Sequence, residues 1–194
     1  MSETFVQVPF DAPVPEGINH CAFVFIFGWE KLYEHYEDPS MTPERKNAFY
    51  PVVVLGMRWD GHLGAIGGKV DKGETAEEAV CRETDEEIAY ELEIEDLRPL
   101  ISHQSATMRL DAFMYDLGTS SLNNLRYLIA DATEAEGAIS ELTPVIAHLC
   151  DYGNNKGWGN LRGSNMLSTM VAEELDALRK FMVENQPEGA IVAY

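Results

Sequence analysis

Apolar residues along this chain gather in short runs between charged stretches, and the spacing within each run names an element. Residues 20–27 (HCAFVFIF) are continuous, aromatic and β-branched, which predicts a buried strand. Residues 51–58 (PVVVLGMR) predict another, followed by a turn at Trp59, Asp60 and Gly61 and a short strand ending at Gly67 and Gly68. The period then lengthens. Ala76, Ala79, Val80, Thr84 and Ile88 recur at helical spacing behind a Thr75 and Glu78 capping-box pattern. Residues 97–102 and 109–116 read as strands, 119–134 as a helix and 139–143 as a short strand. Residues 165–184 read as a closing amphipathic helix with Met166, Met170, Val171, Leu175, Leu178 and Met182 on its core side. Residues 1–17, with Pro9, Pro13 and Pro15, form an irregular lead-in, and residues 28–50 mix charges with aromatics as an insertion holding a short helix. This order of elements predicts a single α/β domain on a mixed sheet over the 194 residues.

Composition narrows the classes. Hydrophobic residues at 45% and charged residues at 24% exclude a disordered or collagenous chain. The balance of 33 acidic against 14 basic side chains, net −19, repels nucleic-acid backbones and disfavours a general RNA or DNA coat protein. Cys21, Cys81 and Cys150 are widely spaced and odd in number, which argues against a disulfide framework or thiolate zinc site and for a reducing compartment. The opening MSETFVQVPFDAPVPEG lacks the basic and apolar regions of a signal peptide, and the longest apolar run is about half a membrane span. The expectation is a soluble cytoplasmic protein.

Charge is concentrated. Residues 74–96 carry eleven acidic side chains and only Arg82 as counterweight. On a helix, Glu83, Glu86 and Glu87 fall within roughly 100° of arc. Such carboxylates repel one another unless a hard divalent cation, which prefers oxygen ligands, sits among them. The competing reading is a solvated acidic face, the usual fate of charges such as Glu77, Glu78 and Asp85. Gly67 and Gly68, just before the loop 69–73, favour the first reading, because small residues let a backbone carbonyl join a metal shell. Arg82 can pair with Glu74 across the loop and helix junction.

The stretch 68–90, GKVDKGETAEEAVCRETDEEIAY, resembles the Nudix hydrolase box G-x5-E-x7-R-E-U-x-E-E-x-G-U at Gly68, Glu74, Arg82, Glu83, Glu86 and Glu87. Thr84, Ala89 and Tyr90 depart from it at an aliphatic, a glycine and a second aliphatic position. The resemblance implies a mixed β-sheet sandwiched between helices, and hydrolysis of a nucleoside diphosphate linked to another group with Mg2+ or Mn2+. Carried over by position, Glu83, Glu86, Glu87 and the Gly68 carbonyl hold the metal, and Arg82 with Glu74 supports them. Glu86 or Glu87 takes the proton from water, with His103 and Glu141 as candidates outside the box. A more diffuse similarity, over MRWDGHLGAIGGKVD (57–71) and the spacing from Ser102 and His103 to Arg109 and Tyr115, points to the subfamily that decaps nucleolar RNA and hydrolyses inosine diphosphates. Ala65 and Lys69 stand where that subfamily lines its base site with phenylalanines, so a different base preference is implied.

Other residues carry two readings each. His20 and His103 are candidates for base or phosphate contact, or structural histidines. Arg109 binds phosphate or pairs with a neighbour on its strand. The glycine-rich stretch 153–165 is a mobile substrate loop, in which Trp158 stacks on a base while Lys156 and Arg162 bind phosphate, or a plain connection. Trp59 is read as packing, and His62 and His148 as structural or surface groups. The substrate expected is a free nucleotide, dinucleotide, nucleotide sugar or ADP-ribose. A capped RNA end stays open if Lys69, Lys72, Arg109, Lys156 and Arg162 form a local groove. A homodimer also stays open. The rival from another class is a catalytically silent nucleotide-binding regulator, against which a repulsive carboxylate trio speaks.

Overall fold

The long apolar run becomes the spine of the molecule. A computed structural model describes residues 3–31, 42–119, 142–151 and 157–191, and only the backbone of residues 45 and 46. In it β2 (Asn19–Lys31) carries partners on both edges. Parallel β7 (Met108–Asp116) lines one edge over its length. The other edge is shared: β5 (Ile66–Lys69) pairs antiparallel with residues 21–24 and β3 (Phe49–Arg58) with residues 27–31. The sheet extends through β6 (Arg98–Gln104) to β1 (Val6–Val8) on one side, and through β3 to β4 (Leu63–Gly64) and β8 (Leu142–His148) on the other. The split between β3 and β5 leaves Gly67 and Gly68 next to the helix that follows them.

Alternation along β2 builds two cores. Ala22, Val24 and Ile26 face α2 (Ala76–Ile88) and its Ala79, Val80 and Ile88. Phe25, Phe27 and Trp29 face α4 (Val171–Glu184) and its Val171, Leu175, Leu178 and Met182. Helices therefore cover both sides of a mixed sheet, as the sequence predicts. Among the described residues no helix is long and apolar enough to cross a membrane.

Several sequence expectations are corrected. The insertion 28–50 is narrower, because Trp29, Glu30 and Lys31 pair with Pro51, Tyr50 and Phe49, and burial of Trp29 and Tyr50 favours extending both strands. Its short helix is α1 (Pro43–Asn47). The lead-in 1–17 contributes β1, which ends where Pro9 has no N–H to donate, and Phe10 then packs edge-on against Phe113 at 4.9 Å between ring centres. The stretch 153–165 contains the short helix α3 (Gly157–Arg162), held by burial of Trp158 in the α4-side core. The closing helix starts at Val171, not 165. Met166 and Ser168 instead bond to Leu63 of β4, Met166 is exposed, and Met170 adopts a left-handed conformation at φ 69°. The helix expected over 119–134 lies outside the described residues from 120 onward, and the strand expected over 139–143 is seen as β8 from Leu142.

Candidate active site

The carboxylates are presented by a well-started helix. Thr75 Oγ1 accepts the Glu78 N–H at 3.1 Å and the Thr75 N–H donates to Glu78 Oε2 at 2.8 Å, which closes the capping box before α2. At the far end Ala89 takes the left-handed conformation, φ 51°, and donates its N–H to Asp85. A non-glycine residue thus makes the turn that the box assigns to glycine.

Arg82 is the hub. Its Nε and Nη2 donate to the two oxygens of Glu74 at 2.9 and 3.1 Å, and Nη2 also reaches the Lys69 carbonyl at 3.1 Å. Its Nη1 donates to both Glu83 Oε1 at 2.9 Å and Glu86 Oε2 at 3.2 Å. Hydrogen bonding from Arg82, helped by the Asp71 N–H, holds the Glu74 carboxyl below its ordinary pKa. The same contacts, Glu74 first, raise that of Arg82.

Glu83 occupies the space a side chain would take at position 68: a Cβ on Gly68 would lie 2.6 Å from Oε1 and 2.8 Å from Oε2. Glu87 is buried and accepts the Gly67 N–H at 2.9 Å. Glu86 has 60% of its side chain exposed. The loop, strand and helix thus bring Gly68, Glu74, Arg82, Glu83, Glu86 and Glu87 together. Among the described residues no group of three or more His, Cys, Asp or Glu side chains closes on a metal position, and Arg82 and the Gly67 amide engage oxygens of Glu83, Glu86 and Glu87. By chemical type, carboxylate oxygens with a backbone carbonyl are the donors a hard divalent cation takes.

The other candidates scatter. Lys69 is exposed at the end of β5. His20 donates from Nε2 to Asp111 Oδ2 at 2.7 Å. Arg109 does not face a phosphate: it is fully buried, bonds Asp111 Oδ1 from Nε at 2.6 Å, and ties the Pro9 and Phe10 carbonyls through Nη2. Of its two readings the structure shows the pairing one, and the phosphate reading is corrected because the N-terminal segment folds over the guanidinium. Burial would raise the Asp111 pKa, but hydrogen bonds from His20, Ser102 and Arg109 outweigh it and hold the carboxyl below its ordinary value. Trp158 is buried and unavailable for stacking, and Arg162 Nε donates to Asp176 at 2.9 Å, so the phosphate groove expected there is not formed by these two. Lys156 and Glu141 lie outside the described residues. Trp59, read as packing, is 88% exposed at the β3–β4 turn.

His103 lies beneath α4, 5% exposed. Its Nδ1 is 4.0 Å from Glu174 Oε1, beyond hydrogen-bond range, and has no hydrogen-bond partner among the described residues. Sequence reasoning missed Glu174. It carries a signal, an acidic residue three positions after Val171 inside the apolar stripe of α4. Strand alternation does put Asp111 on the same face as Arg109, where the two pair.

Comparison with known proteins bears on the family and the fold. The sequence matches the Nudt16-like family, described as U8 snoRNA-decapping enzyme-like, over residues 30–146. No curated protein matches the sequence. Among solved structures the fold is similar to the Bacillus subtilis pyrophosphohydrolase BsRppH (16% identity, 96% of this chain and 93% of that one, TM-score 0.52). It is similar also to a mutT/nudix family protein from Listeria innocua (14% identity, 89% and 98%, TM-score 0.53). It spans about half, 48%, of a MutT/nudix family protein from Enterococcus faecalis, covering 74% of this chain at 17% identity and TM-score 0.48.

Proposed function

Because this chain belongs to the Nudt16-like family of Nudix-type hydrolases, we propose that it is a metal-dependent pyrophosphohydrolase cleaving the diphosphate of a nucleoside diphosphate linked to another group. The observation that carries the proposal is the Glu83 carboxylate seated against Gly68 and sharing one Arg82 nitrogen with Glu86. Glu83, Glu86, Glu87 and the Gly68 carbonyl would hold Mg2+ or Mn2+, which supplies neutralisation of the diphosphate and a more acidic water. The chain's own residues do the positioning. Arg82, anchored on Glu74, fixes the rotamers of Glu83 and Glu86, while the Gly67 N–H fixes Glu87. Glu86, exposed at the helix surface, is assigned to accept the proton from the attacking water. Lys69 is assigned to a substrate phosphate, and His20 and His103 to contacts with the remainder of the nucleotide.

A small nucleotide is favoured over a long RNA. Of the basic residues required for an RNA groove, Arg109 is buried and Arg162 is paired with Asp176, which leaves Lys69 and Lys72 next to the site among the described residues. A capped RNA end, which needs only its terminal diphosphate at the carboxylates, is the second reading, favoured by the description of the family. The free cysteines Cys21, Cys81 and Cys150 suit a reducing, cytoplasmic setting.

The test is incubation with magnesium and a panel of inosine and guanosine diphosphates, ADP-ribose, dinucleotides and capped RNA, with products identified by mass spectrometry. Wild type should release a nucleoside monophosphate from at least one, and Glu86→Gln should release none while melting as wild type does. Full turnover in that variant would remove the assignment, and an inert wild type would leave the regulator reading in its place.

A further inference from the structure

The four-strand register defines a row of side chains running away from the candidate active site. Lys69 of β5 pairs with Cys21 of β2, Cys21 with Leu110 of β7, and Leu110 with His103 of β6. Paired residues on neighbouring strands share a face. His103 meets Glu174 of α4, so the row lies on the α4 side of the sheet. Exposure falls along it: Lys69 is exposed, Cys21 half-buried, Leu110 and His103 buried. The first turn of α4 closes one end and leaves the Lys69 end, beside Gly68, open. Three strand spacings of about 4.8 Å, roughly 14 Å in all, separate the two ends. That separation is comparable to the length of an extended nucleotide.

We propose that Glu174 is a positioning residue for His103: its carboxyl donates a hydrogen bond to Nδ1, directly or through one water, so that the imidazole offers an uncharged Nε2–H donor to an oxygen of the nucleoside. The proposal rests on the pyrophosphohydrolase reading for its ligand and on this pair alone for its chemistry. A buried ring nitrogen left unpaired is costly, and among the described residues Glu174, 3% exposed and 4.0 Å away, is the group placed to satisfy Nδ1. Both groups are neutral near pH 7. Burial, reinforced by Glu173, raises the Glu174 pKa from 4.5 to about 8, and burial lowers that of His103 against an opposing pull from Glu173. Glu173 on α4 is the charged neighbour acting on both. From the sheet side Leu110 is apolar, and Cys21 is a thiol whose pKa is raised by burial and on which Lys69 and Glu83 act in opposite directions. A carboxyl with a raised folded pKa keeps its proton up to that value. As pH rises through about 8 the carboxylate becomes an acceptor, Nδ1 must then carry the proton, and the Nε2 donor is lost.

Two readouts test this. Long-range 15N–1H correlation of the imidazoles, with His103 assigned from His103→Asn, should show the Nε2–H tautomer at pH 7 and its loss near pH 8. Glu174→Gln, whose amide donates at every pH, should hold that tautomer throughout. In kinetics with the panel member turned over fastest, wild-type KM should rise about tenfold between pH 7 and pH 9 at constant kcat, the worth of one hydrogen bond. Glu174→Gln should give a flat KM at the pH 7 value, and Glu174→Leu a raised KM at pH 7 already. An Nδ1–H tautomer or an imidazolium at pH 7, or an unchanged pH profile in Glu174→Gln, would overturn the proposal. The tautomer is read on the protein alone, so a failure of the hydrolase reading is seen separately in the product panel.

Discussion

Gly67 and Gly68 are neighbours on β5, yet a methyl group added to each meets different material. At Gly67 a Cβ would fall 2.3 Å from the Ala22 carbonyl oxygen and 2.8 Å from Phe23 Cα, and φ is +132°, a conformation that side-chain-bearing residues rarely adopt. Both obstacles are backbone within the β2–β5 ladder. Strain of about 1–3 kcal/mol and overpacking of about 1–3 kcal/mol sum to roughly 4 kcal/mol for Gly67→Ala. In a chain of this size that lowers Tm by on the order of 10 °C. At Gly68 the obstacle is the end of a flexible side chain, Glu83, at 2.6 Å. Ordinary contact needs about 3.4 Å, so the carboxylate moves by about 1 Å, and a misplacement of that size at a reacting centre costs on the order of a hundredfold in rate. Stability should change by less than about 1 kcal/mol, because alanine also restricts the unfolded chain. Melting by circular dichroism and magnesium-dependent phosphate release separate the two variants. Gly68→Ala with wild-type kcat, or with a melting loss matching that of Gly67→Ala, would refute the claim that position 68 is small for the sake of Glu83.

Replacing Arg109 by Met should destabilise by about 3–5 kcal/mol in urea titrations, since it takes the guanidinium from the buried Asp111 carboxylate and leaves it only His20 and Ser102, and adding Asp111→Leu should recover part of the loss. Ala89→Gly should stabilise by about 1 kcal/mol and raise Tm by a few degrees, by relieving the left-handed turn after α2. Acid sensitivity should trace to Asp111. Its folded pKa lies below 3.8, so its contribution is complete above about pH 4 and disappears as pH falls through the folded value. In Asp111→Asn the acid limb of Tm against pH, recorded from pH 2 to 6, should flatten.

Local patterns made most of the framework readable. The capping box at Thr75, the helical period of Ala79, Val80 and Ile88, and the unbroken apolar run of β2 each encode their element within a few residues, and the structure contains all three. The carboxylate cluster was legible for the same reason, as its members share one helix and the loop before it. What was not legible depends on distant segments. Nothing near Arg109 tells that Pro9 and Phe10, about a hundred positions earlier, will close over it. Trp158 looked available because glycines surround it, but an indole that finds an apolar pocket is worth more buried than its poor helical neighbours cost. Trp59 failed in the opposite sense: large and apolar, it sits at a turn tip that no described residue covers.

The Arg82 guanidinium, spread over Glu74, Glu83 and Glu86, acts as a built-in counter-ion for the acid cluster. A single positive charge offsets only part of theirs, so the spot stays negative before any dissolved ion arrives. Chelation should silence turnover without unfolding α2, and the loss should reverse on adding magnesium back. On the metal-dependent reading a divalent cation would compete with Arg82 for the oxygens of Glu83 and Glu86.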